Sequence, residues 1–136
     1  MRSVLTALIC SGFLFSACSS EPAGPDFKEG KWSITSKTEM QGMAMQIPAT
    51  TFEQCMSAED RVPVQQNDND GCKVLEQKVD GDTVSWRIEC NHSKGDGTIT
   101  YKGESFHGKM NMHTDTGMGA MTMTTTMTGK YLGPCE

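Results

Sequence analysis

Apolar and polar residues alternate along most of this chain, and a period of two predicts strands almost throughout. The clearest case is residues 71–91, where two alternating runs flank Asp80-Gly81-Asp82, a turn signal with a glycine able to take positive φ. With those three residues as the loop, paired positions sum to 162. Val79 then faces Thr83, Val74 faces Ile88, and Cys72 faces Cys90. One face carries Cys72, Val74, Val84, Trp86, Ile88 and Cys90, with Glu76 and Lys78 as exceptions near the turn. The other carries Lys73, Gln77, Ser85, Arg87 and Glu89, with Leu75 as its one clear apolar member. The pattern predicts an antiparallel hairpin, buried on one side and closed by a cross-strand disulfide.

The same alternation predicts strands elsewhere. Residues 32–40 read as a strand, 41–44 as a turn, and 45–47 as the start of a returning strand. Pro48 interrupts that return, which places it at an edge or a bulge, and 50–55 resume it. Ser57, three residues before Asp60, can N-cap a helical turn. Residues 65–71 are a loop by composition; Asp68, Asn69 and Asp70 hint at Ca²⁺ but lack the closing bidentate glutamate. After a turn at 93–97, strands at 98–102 and 105–114 flank Gly103-Glu104, with Ile99, Tyr101, Phe106, Met110 and Met112 on one face. A turn at 115–119 leads to a Thr/Met run that places Met121, Met123, Met127 and Tyr131 opposite Thr122, Thr124, Thr126 and Thr128. Pairs summing to 233 would set Met112 against Met121, Met110 against Met123 and Phe106 against Met127. The expected fold is all-β: an antiparallel meander of about seven strands, in a small barrel or a half-open, lipocalin-like sheet.

The first 17 residues have a different character. Arg2 followed by a short apolar segment, ending in Phe15-Ser16-Ala17-Cys18, reads as a secretion signal with a resemblance to the bacterial lipobox. Residues 1–17 are then the signal peptide, Cys18 the lipidated N-terminus, 18–29 a Pro/Gly tether, and 30–136 a single domain. Ser19 after Cys18 implies the outer membrane of a Gram-negative bacterium, with the domain on the periplasmic side. The partner at that surface is the membrane itself, reached through the acyl chains.

Removing residues 1–17 from 136 leaves 119, enough for one domain. Arg2 is the only charge lost, so 11 basic residues face 17 acidic ones, a balance of −6 that gives nucleic acid no basic stripe. Of the six cysteines, Cys10 is removed and Cys18 lipidated, leaving Cys55, Cys72, Cys90 and Cys135. The hairpin selects Cys72–Cys90, which leaves Cys55–Cys135; no C-x-x-C spacing supports zinc.

Methionine stands out, with eleven residues. Met40, Met43 and Met45 form one group, Met110 and Met112 beside His113 a second, and Met118, Met121, Met123 and Met127 a third. Soft thioethers at these spacings suit Cu(I) or Ag(I), which makes Met40, Met43, Met45, Met110, Met112 and His113 candidate metal ligands. The competing reading of the third group is core, where methionine is an adaptable filler. No cofactor other than such a copper ion is implied. His92, His107 and His113 are isolated, no G-x-S-x-G elbow occurs, and no cysteine is left free, so an enzyme is not expected.

Several motifs in order carry a resemblance. Gly30-Lys31-Trp32, the MQGMAM run ending at Met45, Cys55, Gly71-Cys72-Lys73-Val74, Trp86, Cys90 and the closing Gly129-Lys130-Tyr131-Leu132-Gly133-Pro134-Cys135 together resemble the bacterial domain-of-unknown-function family 3617, small exported proteins and lipoproteins. The resemblance implies no activity. The expected function is a non-enzymatic lipoprotein binding a small apolar ligand or a periplasmic protein on a face bearing Trp32, Phe106, Met121, Met123 and Met127. The alternatives are Cu(I)/Ag(I) binding through the methionine clusters, and inhibition of a periplasmic or host enzyme.

Overall fold

The alternating runs form seven antiparallel strands in a computed structural model of the chain, which describes residues 24–44, 47–63 and 71–136. The strands are β1 (Gly30–Met40), β2 (Thr50–Met56), β3 (Lys73–Asp80), β4 (Thr83–Glu89), β5 (Ser93–Lys102), β6 (Ser105–Thr116) and β7 (Gly119–Gly133). They make one open sheet in the order β2-β1-β7-β6-β5-β4-β3, with no helix among the described residues. β3 to β7 are a meander. The chain's first strand then pairs with its last, so β2 and β3 are the two edges.

A single sheet has nothing to bury its apolar face against except itself. β1 and β5 lie three positions apart, about 14 Å if the sheet were flat. Yet the Trp32 and Tyr101 rings are 6.1 Å apart between centroids, and Trp32 and Phe106 are 5.4 Å apart. The sheet is therefore curled, with Trp32, Ile34, Val84, Trp86, Ile88, Ile99, Tyr101, Phe106 and Met127 buried on its inner face. At one end the aromatic cluster is covered by chain entering and leaving the sheet. Phe27 stacks on Trp32 and packs edge-on to Tyr101, and it forms an isolated bridge to Gly103. From the link after β2, Val62 is buried in the same cluster, and the Tyr101 hydroxyl donates to the Arg61 carbonyl. All seven strands, both disulfides and this core lie within residues 24–136.

Both disulfides join the pairs read from the sequence. Cys55–Cys135, 80 residues apart, fastens edge strand β2 to the end of β7 at the aromatic end. Cys72–Cys90, 18 residues apart, fastens edge strand β3 to β4 at the opposite end. Loops of those lengths contribute about 4.5 and about 3 kcal/mol on the chain-entropy model.

Several local expectations differ from the structure. The β3–β4 loop is Gly81-Asp82, two residues and not three, with Gly81 at φ 57°. Pairs near the turn therefore sum to 163, and a bulge at Leu75 restores the 162 register that aligns Val74 with Ile88. The bulge also removes the two exceptions. Glu76 and Lys78 move to the outer face, where Glu76 pairs with Arg87 at 2.6 Å, while Val79 moves inward opposite Val84. β3 is nevertheless exposed along its whole length, because nothing among the described residues covers this edge. Residues 93–97 are strand, not turn.

The β6–β7 register sums to 235, not 233: Met112 faces Met123, and Phe106 faces Gly129. The connecting turn is the two residues Gly117 and Met118, so both strands extend further than their composition suggested. A shift of two keeps every side chain on its expected face. Glycine fixes this register: a Cβ on Gly129 would lie 2.0 Å from the Phe106 ring. Gly97 sits under Trp86 in the same way, at 2.3 Å, which is why residues 93–97 stay extended despite two glycines. In the link after β2, Ser57 Oγ accepts from the Asp60 N–H as a cap would, but no helix follows. The return strand begins at Thr50; Met45 and the Asp68, Asn69, Asp70 run lie outside the described residues.

Replacing either glycine drives a methyl group into an aromatic ring. Gly129→Ala and Gly97→Ala are each expected to lower unfolding free energy by about 1–3 kcal/mol, the cost of overpacking a filled core. Urea denaturation with an unchanged midpoint for both variants would contradict the glycine-notch account of the register.

Candidate functional site

The inner face reads as successive rows crossing the sheet. The aromatic row holds Ile34, Gly129, Phe106 and Tyr101 on β1, β7, β6 and β5. The next holds Ser36, Met127, Gly108, Ile99 and, on β4, Val84. The third holds Thr38, Thr125, Met110, Gly97 and Trp86, with the Thr38 and Thr125 hydroxyls 2.9 Å apart. The fourth holds Met40, Met123, Met112, Gly95 and Ile88. From the first row to the fourth the strip over β1, β7 and β6 passes from buried to half-buried.

That fourth row brings together residues the sequence had placed in three separate groups. Met40 is the register partner of Met123 on β7, and Met123 is the partner of Met112 on β6. Directly opposed residues on one face have Cβ atoms about 4.5–5.5 Å apart, so three thioether side chains stand side by side. All three are half-buried. Met110 lies one row inward and Met121, paired with Thr114, one row outward, so five methionines share this end of the inner face. Sδ of Met112 rests against Gly95, where a Cβ would come within 2.5 Å of it. Beside Met40, a groove of about 240 Å³ is lined by Met43, Ala44 and Ile47 from the following turn, and by Lys37, Thr38 and Glu39.

The other candidates fall elsewhere. His113 projects from the outer face, where its Nδ1 lies 3.1 Å from Thr122 Oγ1, so it is separated from Met110 and Met112 by the sheet itself. Met43 is exposed on the turn after β1, and Met118 is fully exposed at the β6–β7 turn. Trp32, Phe106 and Met127, expected on a ligand face, are instead inside the core, at 0%, 4% and 4% exposure. Met121 and Met123 remain accessible. Among the described residues no three His, Cys, Asp or Glu side chains converge as a metal site.

Electrostatic shifts mark structural contacts. Burial raises the Tyr101 phenol above its ordinary range, and its hydroxyl is committed to the Arg61 carbonyl. At the aromatic end, Lys28 and Glu104 form a 2.7 Å surface pair that raises the amine and lowers the carboxyl. These groups lie at the end remote from the methionine row.

Core and row methionines separate by their response to truncation. Met127→Ala should cost about 2–5 kcal/mol, as for a buried methionine. Met40→Ala and Met123→Ala, truncated at half-buried positions, should each cost clearly less than that. Thermal and urea unfolding of the three variants checks this; equal losses for all three would place the row inside the core.

A family model described as "Protein of unknown function (DUF3617)" matches residues 27–135, which span all seven strands and both disulfides. No curated protein and no solved structure matches the chain.

Proposed function

The chain belongs to the DUF3617 family, proteins of unknown function, and from that premise we propose that it is a lipid-anchored, non-catalytic binding protein. Cys18 carries the acyl chains, the outer membrane of a Gram-negative bacterium holds them, and the β-domain faces the periplasm. The ligand seat is the methionine end of the inner face, built on Met40, Met112 and Met123 with Met110 and Met121 beside them. Its occupant is a small apolar ligand or an apolar side chain presented by a periplasmic partner.

The observation carrying this reading is the contrast between the two ends of one face. The aromatic end is covered by Phe27 and Val62. The methionine end stays half-buried, beside a 240 Å³ groove where Met40, Met43, Ala44 and Ile47 meet Lys37, Thr38 and Glu39. Pockets for small ligands are mostly apolar, and flexible thioethers adapt to varied shapes. The sequence supports the anchor through the signal-like residues 1–17 and the Phe15-Ser16-Ala17-Cys18 motif. Two disulfides in 136 residues agree with an oxidising compartment.

Two measurements test the halves of this reading. Cys18→Ser should move the protein from the membrane pellet to the soluble periplasmic fraction; retention in the pellet contradicts the anchor. The neutral probe N-phenyl-1-naphthylamine should bind residues 24–136 saturably and lose that binding in Met123→Lys. Fluorescence that never saturates, or that Met123→Lys leaves unchanged, contradicts the seat.

A further inference from the structure

Resting on the seat just described, we infer that the row Met40–Met123–Met112 is a binding site for a soft monovalent cation, Cu(I) or Ag(I). The three side chains come from adjacent strands β1, β7 and β6, and the central one is the register partner of both others. Thioether sulfur is a soft, neutral donor, and Cu(I) and Ag(I) accept few ligands and favour sulfur over the oxygen and nitrogen that hold harder ions. Three donors side by side on one face of a rigid sheet can turn their sulfurs toward one such ion. The rigid part is the backbone ladder, and the adjustable part is three side chains with three rotatable bonds each.

The surroundings fit a cation. The row is half-buried, so a bound ion loses part of its water while remaining reachable from solvent. The chain from residue 18 onward carries a net charge of −6, which favours positive ions at the surface. Sδ of Met112 rests against Gly95, so ligation requires this side chain to change rotamer toward Met123. Competing thiolates are absent from residues 24–136, because all four cysteines there are in disulfides. The ion keeps its oxidation state on binding, and no bond is made or broken in the protein.

The geometry also separates this site from the groupings the sequence suggested. Met40 closes β1 and Met43 is exposed on the turn after it, while Met45 lies outside the described residues. His113 cannot join Met110 and Met112, since it stands on the opposite face. The site is assembled by strand pairing, not by a local motif.

Ag(I) is the probe for the test, since it needs no reductant and leaves both disulfides closed. Native mass spectrometry of residues 24–136 should show one Ag(I) per chain. Removing an outer-sphere partner already weakens metal binding by about 10–100-fold, so Met123→Leu should lose at least roughly tenfold in affinity. The triple variant Met40→Leu/Met112→Leu/Met123→Leu should take up none stoichiometrically. His113→Ala and Met118→Leu should bind as the parent does. Leucine keeps the apolar volume, so retained disulfides by mass and an unchanged unfolding temperature show that the triple variant is folded.

No uptake by the parent chain, or equal uptake by the folded triple variant, overturns the inference. Probe binding separates that result from failure of the seat itself. N-phenyl-1-naphthylamine bound by both parent and triple variant, without Ag(I) uptake, leaves an apolar seat and removes the metal; neither ligand bound removes both.

Discussion

A sheet without a second layer must bury its apolar face by curling, and every other feature of this domain depends on how that curl closes. Trp32, Tyr101 and Phe106 meet across β1, β5 and β6 at 5.4–6.1 Å. Rings of that size fit between curled strands only where the opposing backbone gives way. Gly129 beneath Phe106 and Gly97 beneath Trp86 supply the space. Aromatic bulk on one strand and glycine on its neighbour thus form single units of packing, and they fix the registers of β6–β7 and β4–β5 together. Phe27 and Val62 complete the cover at that end. The far end has no comparable rings on β1, β7 and β6, and methionine takes their place.

The edges follow from the same constraint. An open curled sheet leaves β2 and β3 unpaired on their outer sides, and each is held by a disulfide at one end. For β2 the disulfide adds to inward side chains, with Phe52 half-buried and Met56 buried. For β3 it adds to the ladder with β4 and the Glu76–Arg87 pair, on a strand where Val74, Leu75 and Val79 are all more than a third exposed. The bulge at Leu75 lets a two-residue turn and an aligned Cys72–Cys90 pair coexist in one hairpin. Bulges and charged residues such as Glu76, Lys78 and Lys73 also discourage edge-to-edge pairing with another copy.

Much of this was legible in the sequence because side chains alternate with a period of two. Strand identity, the inner and outer faces of β4, β6 and β7, and both cysteine pairings follow from that period. Exact registers were not legible, since they depend on turn length: one residue of loop at Gly81-Asp82 and two at Gly117 and Met118 changed the pairing sums. Residues 93–97 looked like a turn because two glycines stand there, and only the ring packed on Gly97 explains their extended form. The methionine groups were read along the chain, by spacing. Their real neighbours lie across it, because β7 inserts between β1 and β6, and no local pattern encodes that order. Trp32, Phe106 and Met127, read as a ligand face, lie on the inner face within the core. Their depth was not foreseen, because it depends on the curl and on the cover from Phe27 and Val62.

Met40, Met123 and Met112 thus form a contiguous, half-buried thioether row, while Met127 two rows inward is sealed. Methyl-¹³C-methionine NMR of residues 24–136, titrated with Ag(I), addresses it most directly. The Met40, Met112 and Met123 methyl resonances should shift together and saturate at one equivalent, with Met127 and the exposed Met118 unmoved. Shifts confined to Met43 and Met118, or spread evenly over all methionines without saturation, would contradict it.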